Sequence, residues 1–503
     1  MGFCTVLSAS VRGMNADIIN VEADVTNGLP EFLMVGYLSS EVKEASDRVR
    51  TAINNSGMEF PIRSVIVNLS PISIRKTGAA FDLSIAVAVM TASGHVNIKA
   101  VRNVLFAGEL GLSGEIRGIK GILPIVLKAR EEGITTCFVP EENIKEASLA
   151  DGINIVGVSN LKETILMLQG KRKIKYADKY SVLTDSLKEP EIDFKDICGQ
   201  KAVKRAAKIA VAGGHNMLIS GPPGSGKTMI AKAMAGIFPP MDMDDIFEVT
   251  QIYSIAGLLG ENTPCISDRP FRAVHHTTTQ AAIAGGGRNP TPGEVTLAHR
   301  GILFLDELPE FKKEVIEVLR EPLEEHNILI SRNNGSYVFP CDFMLVAAMN
   351  PCPCGYYPDR NKCKCKSNEI ERYTKRLSGP FIDRIDICIQ SKKIDYKMLQ
   401  GTEKEESSFV IRKQIEETRN IQKLRYKEES YSTNSRIKGS DIKKYCVLGD
   451  EEEKFMEDVY ERFGMTVRTY HKILKVARTI ADLCGCANIN KNHLMEAIAY
   501  SKF

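Results

Sequence analysis

Eight consecutive residues constrain this chain more than any other feature. Gly221-Pro-Pro-Gly-Ser-Gly-Lys-Thr228 follows the β-like run Met217-Leu-Ile-Ser220 and precedes a stretch, Met229 to Ile237, that reads as a helix. The spacing is G-x-x-x-x-G-K-[ST], in the strand–loop–helix setting where that pattern cradles phosphate. Gly221, Gly224 and Gly226, with Pro222, Pro223 and Ser225 between them, let the backbone wrap so that N–H groups point at phosphate oxygens. The helix start adds a favourable dipole. Lys227 is placed to reach the β- and γ-phosphates, and Thr228 to hold Mg2+. A Gly-Pro turn before a helix is the competing reading, and the matched setting weighs against it. The expected fold is α/β.

Further runs belong with that loop. Gly301-Ile-Leu-Phe-Leu-Asp-Glu307 is an apolar strand with two carboxylates at its C-terminal end, where α/β sheets bind ligands. Asp306 is expected to coordinate Mg2+, and Glu307 to polarise an attacking water. Phe343 to Met349 reads as another strand, ending in Asn350, which either orients that water or caps a turn before Pro351. Arg384, in Phe381-Ile-Asp-Arg-Ile-Asp386, and Arg468, opening an amphipathic stretch, offer planar guanidiniums suited to phosphate oxygens. Lone arginines are usually surface ion pairs, so these two count only beside the other motifs.

At 503 residues the chain is long enough for two to four domains. Its 43% hydrophobic and 26% charged residues are ordinary for a soluble globular protein, and a net charge of +3 announces no nucleic-acid binder. Any basic surface has to be local. The N-terminal stretch lacks the features of a signal peptide, Val6 stands where a myristoylation signal needs Ser or Thr, and the apolar run from Leu83 to Ala92 is too short to span a bilayer. Thirteen cysteines without an export signal point to a reducing cytoplasm and no membrane.

Composition divides the chain. Residues 1–175 alternate β-like and helical runs, with strands expected at Ser64 to Leu69 and Ile153 to Val158 and a short helix at Glu141 to Ala150; Phe81 to Ala92 is a buried helix or a buried strand. Residues 176–191 form a charged linker, 192–392 carry nearly all the readable chemistry, and 393–503 are expected to be helical. In the last part Val467, Tyr470, Ile473, Leu474, Ala477, Ile480 and Ala481 recur at helical spacing.

With these motifs in hand, residues 191 to 392 resemble AAA+ ATPases, in the branch with magnesium chelatase and MCM helicases. Gly199-Gln200, Ala212-Gly-Gly-His-Asn216, Pro270-Phe-Arg-Ala-Val-His-His276 and Pro292-Gly-Glu-Val-Thr-Leu-Ala-His299 extend the resemblance along the whole chain to the YifB/ComM family. The resemblance implies a Walker A loop at Gly221 to Thr228, Walker B at Asp306 and Glu307, sensor 1 at Asn350, an arginine finger at Arg384 and sensor 2 at Arg468. It places Ile197, Gly199 and Gln200 against adenine. ATP and Mg2+ are the implied cofactors, and a homo-hexameric ring acting on single-stranded or branched DNA is the implied assembly.

The same branch carries two pore-facing inserts, matched here by residues 250 to 298, with Arg269, Arg272 and Arg288, and by a β-hairpin at 326 to 340 turning at Asn333-Asn-Gly335. His275-His276 is either a buried hydrogen-bonded pair or a DNA or metal contact. Cys352-Pro-Cys354 and Cys363-Lys-Cys365 flank an eight-residue loop and suit tetrahedral Zn2+, although two-residue spacers are more usual; idle reduced thiols are the alternative. The first domain resembles the ribosomal-S5-like fold of Lon proteases, with Ala80 at the serine position and Leu123 at the lysine position, a pair that can neither attack nor accept a proton. Ser73, Ser84 and Lys128 are near enough to serve only if that alignment slips.

Three functions remain open on these grounds. One is an ATP-driven DNA motor for branch migration or unwinding in recombination or natural transformation. Another is a magnesium-chelatase-type ATPase that inserts metal or remodels a protein partner. The third is an ATP-dependent protease or unfoldase, of which Ala80 and Leu123 disfavour the protease half.

Overall fold

A computed structural model describes residues 2–180, 191–260, 263–287, 290–332, 335–393 and 405–501. In the first part, strands β1 (Phe3–Arg12), β2 (Asn15–Thr26), β3 (Glu31–Val35), β4 (Ser64–Ser70), β5 (Val104–Phe106), β6 (Thr136–Pro140) and β7 (Asn154–Val158) form one mixed sheet ordered β3-β4-β2-β1-β5-β6-β7. β1 pairs antiparallel with β2, and β2 with β4, while β5, β6 and β7 run parallel. Alternating burial along β4, with Val65, Val67 and Leu69 inside, seats one face of the sheet on the core.

The Asp82–Ala92 helix crosses that face, and every one of its residues is buried. A helix apolar all round has no amphipathic stripe, which is why periodicity left helix and strand unseparated here. Ala80 and Leu123 make only structural contacts: the Ala80 carbonyl accepts from Gly108 N–H at 2.9 Å, and Leu123 N–H donates to Glu146 at 3.1 Å. Ser84 donates to the Phe81 carbonyl and Lys128 pairs with Glu132.

The phosphate-loop part is built on β8 (Met217–Ser220), β9 (Phe271–Val274), β10 (Ile302–Leu305), β13 (Met344–Met349) and β14 (Ile387–Gln390), all parallel, ordered β9-β10-β13-β8-β14. Between β10 and β13 the chain forms the expected hairpin, β11 (Asn327–Arg332) against β12 (Gly335–Pro340), with Asn333 and Asn334 outside the described residues. The helices after residue 405 are not a separate body. Ile473, Leu474, Ala477 and Ile480 of the Val467–Leu483 helix share one core with Ile219, Val346 and Ile387 of the sheet and Ile230 of the helix after the phosphate loop. No described helix is long and apolar enough to cross a membrane.

One expectation is corrected. Residues 250 to 298 do not form a single pore-facing insert, because β9 lies inside them as the edge strand of the central sheet. A four-residue strand containing an arginine carries too little apolar pattern to be read as one. Its described arginines are spent on the fold. Arg269 donates to the carbonyls of Pro239 and Arg300 at 2.8 and 2.7 Å, and Arg272 is gripped by both oxygens of Glu294 at 2.7 and 2.8 Å. Arg288 lies outside the described residues.

The first part touches the phosphate-loop part. Ser254, near the end of the Met243–Ala256 helix, hydrogen-bonds the buried Glu146 carboxylate, and its carbonyl accepts from Gly121 N–H at 3.0 Å. Gln251 of the same helix bonds the Met14 carbonyl at 2.5 Å.

Candidate nucleotide site

β8, between β13 and β14, delivers the chain to the C-terminal edge of the parallel sheet, and the loop turns there into the Lys227–Gly236 helix. Gly224 and Gly226 have φ of +72° and +83°, values that favour glycine. Gly221 is glycine for another reason: a β-carbon there would lie 1.9 Å from the Ser391 hydroxyl at the end of β14. Ser225 and Ser391 share a hydrogen bond at 2.8 Å, pinning the loop to the neighbouring strand.

Lys227 folds back into its own loop. Its Nζ donates to the Gly221 and Pro222 carbonyls at 2.8 and 3.0 Å and to Asn350 Oδ1 at 3.2 Å. Burial holds its pKa below the usual lysine value, with Asp306 and Glu307 opposing. Thr228 Oγ1 donates to Asp306 Oδ2 at 2.8 Å, so the residues expected to hold Mg2+ already meet. Glu307 N–H donates to Asp306 Oδ1 at 2.9 Å, and Glu307 has φ of +54°, a strained conformation for a non-glycine residue. The Glu307 carboxylate lies beside His276, whose Nδ1 is 3.2 Å from Oε2 without a well-formed hydrogen bond. His276 stacks on His275 at 4.0 Å between ring centres, and His275 bonds Thr277. His275 is exposed and His276 half-buried, so the pair is not the buried hydrogen-bonded one of the two readings.

The residues expected against adenine also converge. Gln200 caps the Lys201–Gly213 helix with φ of +55°, and its side chain bridges the Ser225 carbonyl at 3.1 Å and both backbone groups of Lys392. Gly199 N–H donates to Glu405 at 3.3 Å, and Ile197 is buried. Gln200 thus ties the phosphate loop to Lys392, just past β14.

Arg384 and Arg468 lie elsewhere. Both reach Glu324 Oε1, at 2.5 and 2.6 Å, in a cavity of about 210 Å3 that no phosphate-loop residue lines. The Arg384 backbone is held by Asn216, whose side chain donates to the Arg384 carbonyl at 3.0 Å and accepts from Leu345 N–H at 2.9 Å. Sequence gave no sign of Glu324, which is one of several acids in a short amphipathic run.

The four cysteines form a compact set, their Sγ atoms all within 4.8 Å of one another, with Cys352–Cys354 at 3.4 Å and Cys352–Cys363 at 3.7 Å. Zinc–sulfur bonds of about 2.3 Å in a tetrahedron place sulfurs about 3.8 Å apart, so the donor set fits that metal. Tyr357 N–H donates to Cys352 Sγ at 3.4 Å, the kind of outer contact that steadies a thiolate.

Comparison with known proteins agrees with this architecture. The family described as Magnesium chelatase, subunit ChlI, matches residues 193–399; Subunit ChlI of Mg-chelatase matches 21–143, and Magnesium chelatase, subunit ChlI C-terminal, matches 405–501. Competence protein ComM of Haemophilus influenzae is 39% identical over 99% of this chain and 97% of its own length. YifB of Escherichia coli is 36% identical over 99% and 97%. A Lon protease of Aster yellows witches'-broom phytoplasma is 25% identical over 29% of this chain and 20% of the protease. Family membership makes this an ATPase of the AAA+ class, for which ATP and Mg2+ are the expected ligands. By sequence along nearly its full length and by the three matched segments, the chain belongs to the YifB/ComM family of magnesium-chelatase-like proteins.

Proposed function

We propose that the chain is an ATP-hydrolysing ring motor that moves DNA, in branch migration or unwinding during recombination or natural transformation. The observation that carries the ring is separation. Lys227, Thr228, Asp306, Glu307 and Asn350 meet at the C-terminal edge of the parallel sheet, while Arg384 and Arg468 meet at Glu324 in a cavity without phosphate-loop residues. One chain thus offers a cradle and, apart from it, a pair of guanidiniums. A neighbouring copy supplies the missing half of each site, with a homo-hexamer the arrangement expected of the class.

In that reading the loop N–H groups and Lys227 bind the phosphates, and Asn350 and Glu307 orient and deprotonate the attacking water. Mg2+ held by Thr228 and Asp306 would neutralise charge developing between the β- and γ-oxygens. Arg384 and Arg468 of the adjacent copy stabilise the same charge, an effect worth several powers of ten in rate for finger arginines. Ile197, Gly199 and Gln200 contact the base. Zn2+ on Cys352, Cys354, Cys363 and Cys365 is structural, since four protein ligands fill a tetrahedral site.

Two observations support DNA as the cargo. A relative of nearly equal length is named for competence. The hairpin and the glycine-rich segment also come together: Arg332 Nε donates to the Gly287 carbonyl at 3.3 Å, and Gly285 packs against Ile330. A shared projection of this kind, repeated around a pore, concentrates cations such as Arg332 on a polyanion. The alternative is a chelatase-type ATPase driving metal insertion or remodelling a protein partner, which the descriptions of all three matching segments favour. ATP turnover with and without single-stranded, duplex and branched DNA separates the two.

A further inference from the structure

Two guanidiniums do not gather unaided. Arg384 follows the short Gly379–Ile382 helix and Arg468 sits in the first turn of the Val467–Leu483 helix, yet both end on one oxygen of Glu324. Their cavity also holds Arg436, Lys472 and Lys475, so cations outnumber the acids Glu324, Asp383 and Asp386. The other cations have their own partners: Arg436 has Asp342, Lys472 the Ile385 carbonyl and Lys475 the Ser435 carbonyl. Asp386 is engaged by Asn216 N–H at 3.1 Å. Among the described acids of the cavity, Glu324 is the one that pairs with both arginines.

The arginine side chains need such an anchor. Arg384 is nearly buried, its Nε has no hydrogen-bond partner, and its terminal nitrogens hold only the Pro380 carbonyl and Glu324. Arg468 is half-exposed and its side chain is tied to Glu324 at 2.6 Å. A guanidinium carries five N–H donors, so each arginine keeps donors free after meeting one carboxylate. One negative charge between two positive ones offsets their mutual repulsion and leaves the trio net cationic.

We propose that Glu324 is a positioning residue for hydrolysis in the neighbouring copy, gathering Arg384 and Arg468 into one clamp for the terminal phosphate of a nucleoside triphosphate bound there. The proposal rests on the reading that both arginines act across a subunit boundary. Glu324 itself touches no substrate. It lies in the Arg320–Glu325 helix, directly before the hairpin strand Asn327–Arg332, so the clamp is also continuous with the element proposed to grip DNA.

The test uses full-length chains carrying Glu324→Gln or Glu324→Asp. Glu324→Gln should lower kcat by roughly ten- to a hundredfold with KM for ATP little changed, the cost typical of losing an outer partner that orients a functional group. Glu324→Asp should recover part of that loss. Glu324→Gln subunits mixed with Lys227→Ala subunits should turn over more ATP than either alone, because an intact clamp then faces an intact cradle. Arg384→Ala mixed with Lys227→Ala is run alongside, with ring assembly verified for every sample. A Glu324→Gln kcat within about twofold of the parent overturns the proposal, since an outer-partner role costs more than that. So does a Glu324→Gln loss that no mixture rescues while the Arg384→Ala mixture is rescued. Failure of both mixtures overturns the subunit-boundary reading itself, and the proposal with it.

Discussion

Gly355 lies directly against Pro223, close enough that a β-carbon at Gly355 would sit 2.6 Å from the proline Cδ. The cysteine knuckle and the phosphate loop are thus in van der Waals contact, and Asn350, which holds Lys227, lies two positions before Cys352. Protein prepared without chelator should carry about one Zn2+ per chain by elemental analysis, from one four-thiolate site. Gly355→Ala, at φ of +83°, should keep the metal but weaken ATP binding measurably by calorimetry, at a strain of about 1–2 kcal/mol plus the collision. Metal-free protein, or unchanged ATP affinity in Gly355→Ala, would break this link.

Lys227 and Glu307 should separate binding from hydrolysis. Lys227→Ala removes the half-buried ammonium proposed to bind the phosphates and should abolish tight ATP binding. Glu307→Gln should bind ATP normally yet lower turnover by roughly a hundredfold or more, the scale of losing a group that activates the nucleophile. Equilibrium binding and steady-state turnover on the same preparations check both.

Arg384→Ala and Lys227→Ala subunits should each be inactive alone and partly active together. Mixing creates boundaries where an intact cradle meets an intact arginine. Titrating one against the other at constant total protein should give turnover that passes through a maximum near equal amounts.

Acid should loosen the join between the hairpin base and the C-terminal helices. Burial, with the Arg436 guanidinium beside it, pushes the His326 imidazole from 6.5 down to about 4. The ring stays neutral in the folded chain while the unfolded chain takes up a proton. Its contribution is therefore complete above about pH 6.5 and lost as pH falls towards 4. At roughly 1.4 kcal/mol per pH unit the loss is about 1–3 kcal/mol. Asn suits the left-handed φ of +55° at this position, so His326→Asn should lose less stability than the parent between pH 7 and 5 in thermal melts.

What the sequence revealed follows from where information is local. Gly221 to Thr228, the strand ending at Asp306-Glu307 and the hairpin were legible because consecutive residues specify them. β9 was not, since four residues including Arg272 carry almost no apolar pattern. The fully buried Asp82–Ala92 helix lacked a polar face to betray its period. Glu324 was invisible for a third reason. Its meaning depends on two arginines, one on backbone held by Asn216 and one on the Val467–Leu483 helix packed on the sheet, relationships between distant segments that no spacing encodes.

In the proposed motor, ATP hydrolysis serves movement on DNA. It is tested most directly by ATP turnover of verified rings at low salt, with no DNA and with single-stranded, duplex and branched DNA. A DNA motor should show stimulation by DNA that is largely independent of sequence, falls steeply as salt rises because phosphate contacts dominate, and is reduced by Arg332→Ala while turnover without DNA is spared. Turnover unchanged by DNA of every form would contradict it and favour a chelatase-type machine that answers to a protein partner.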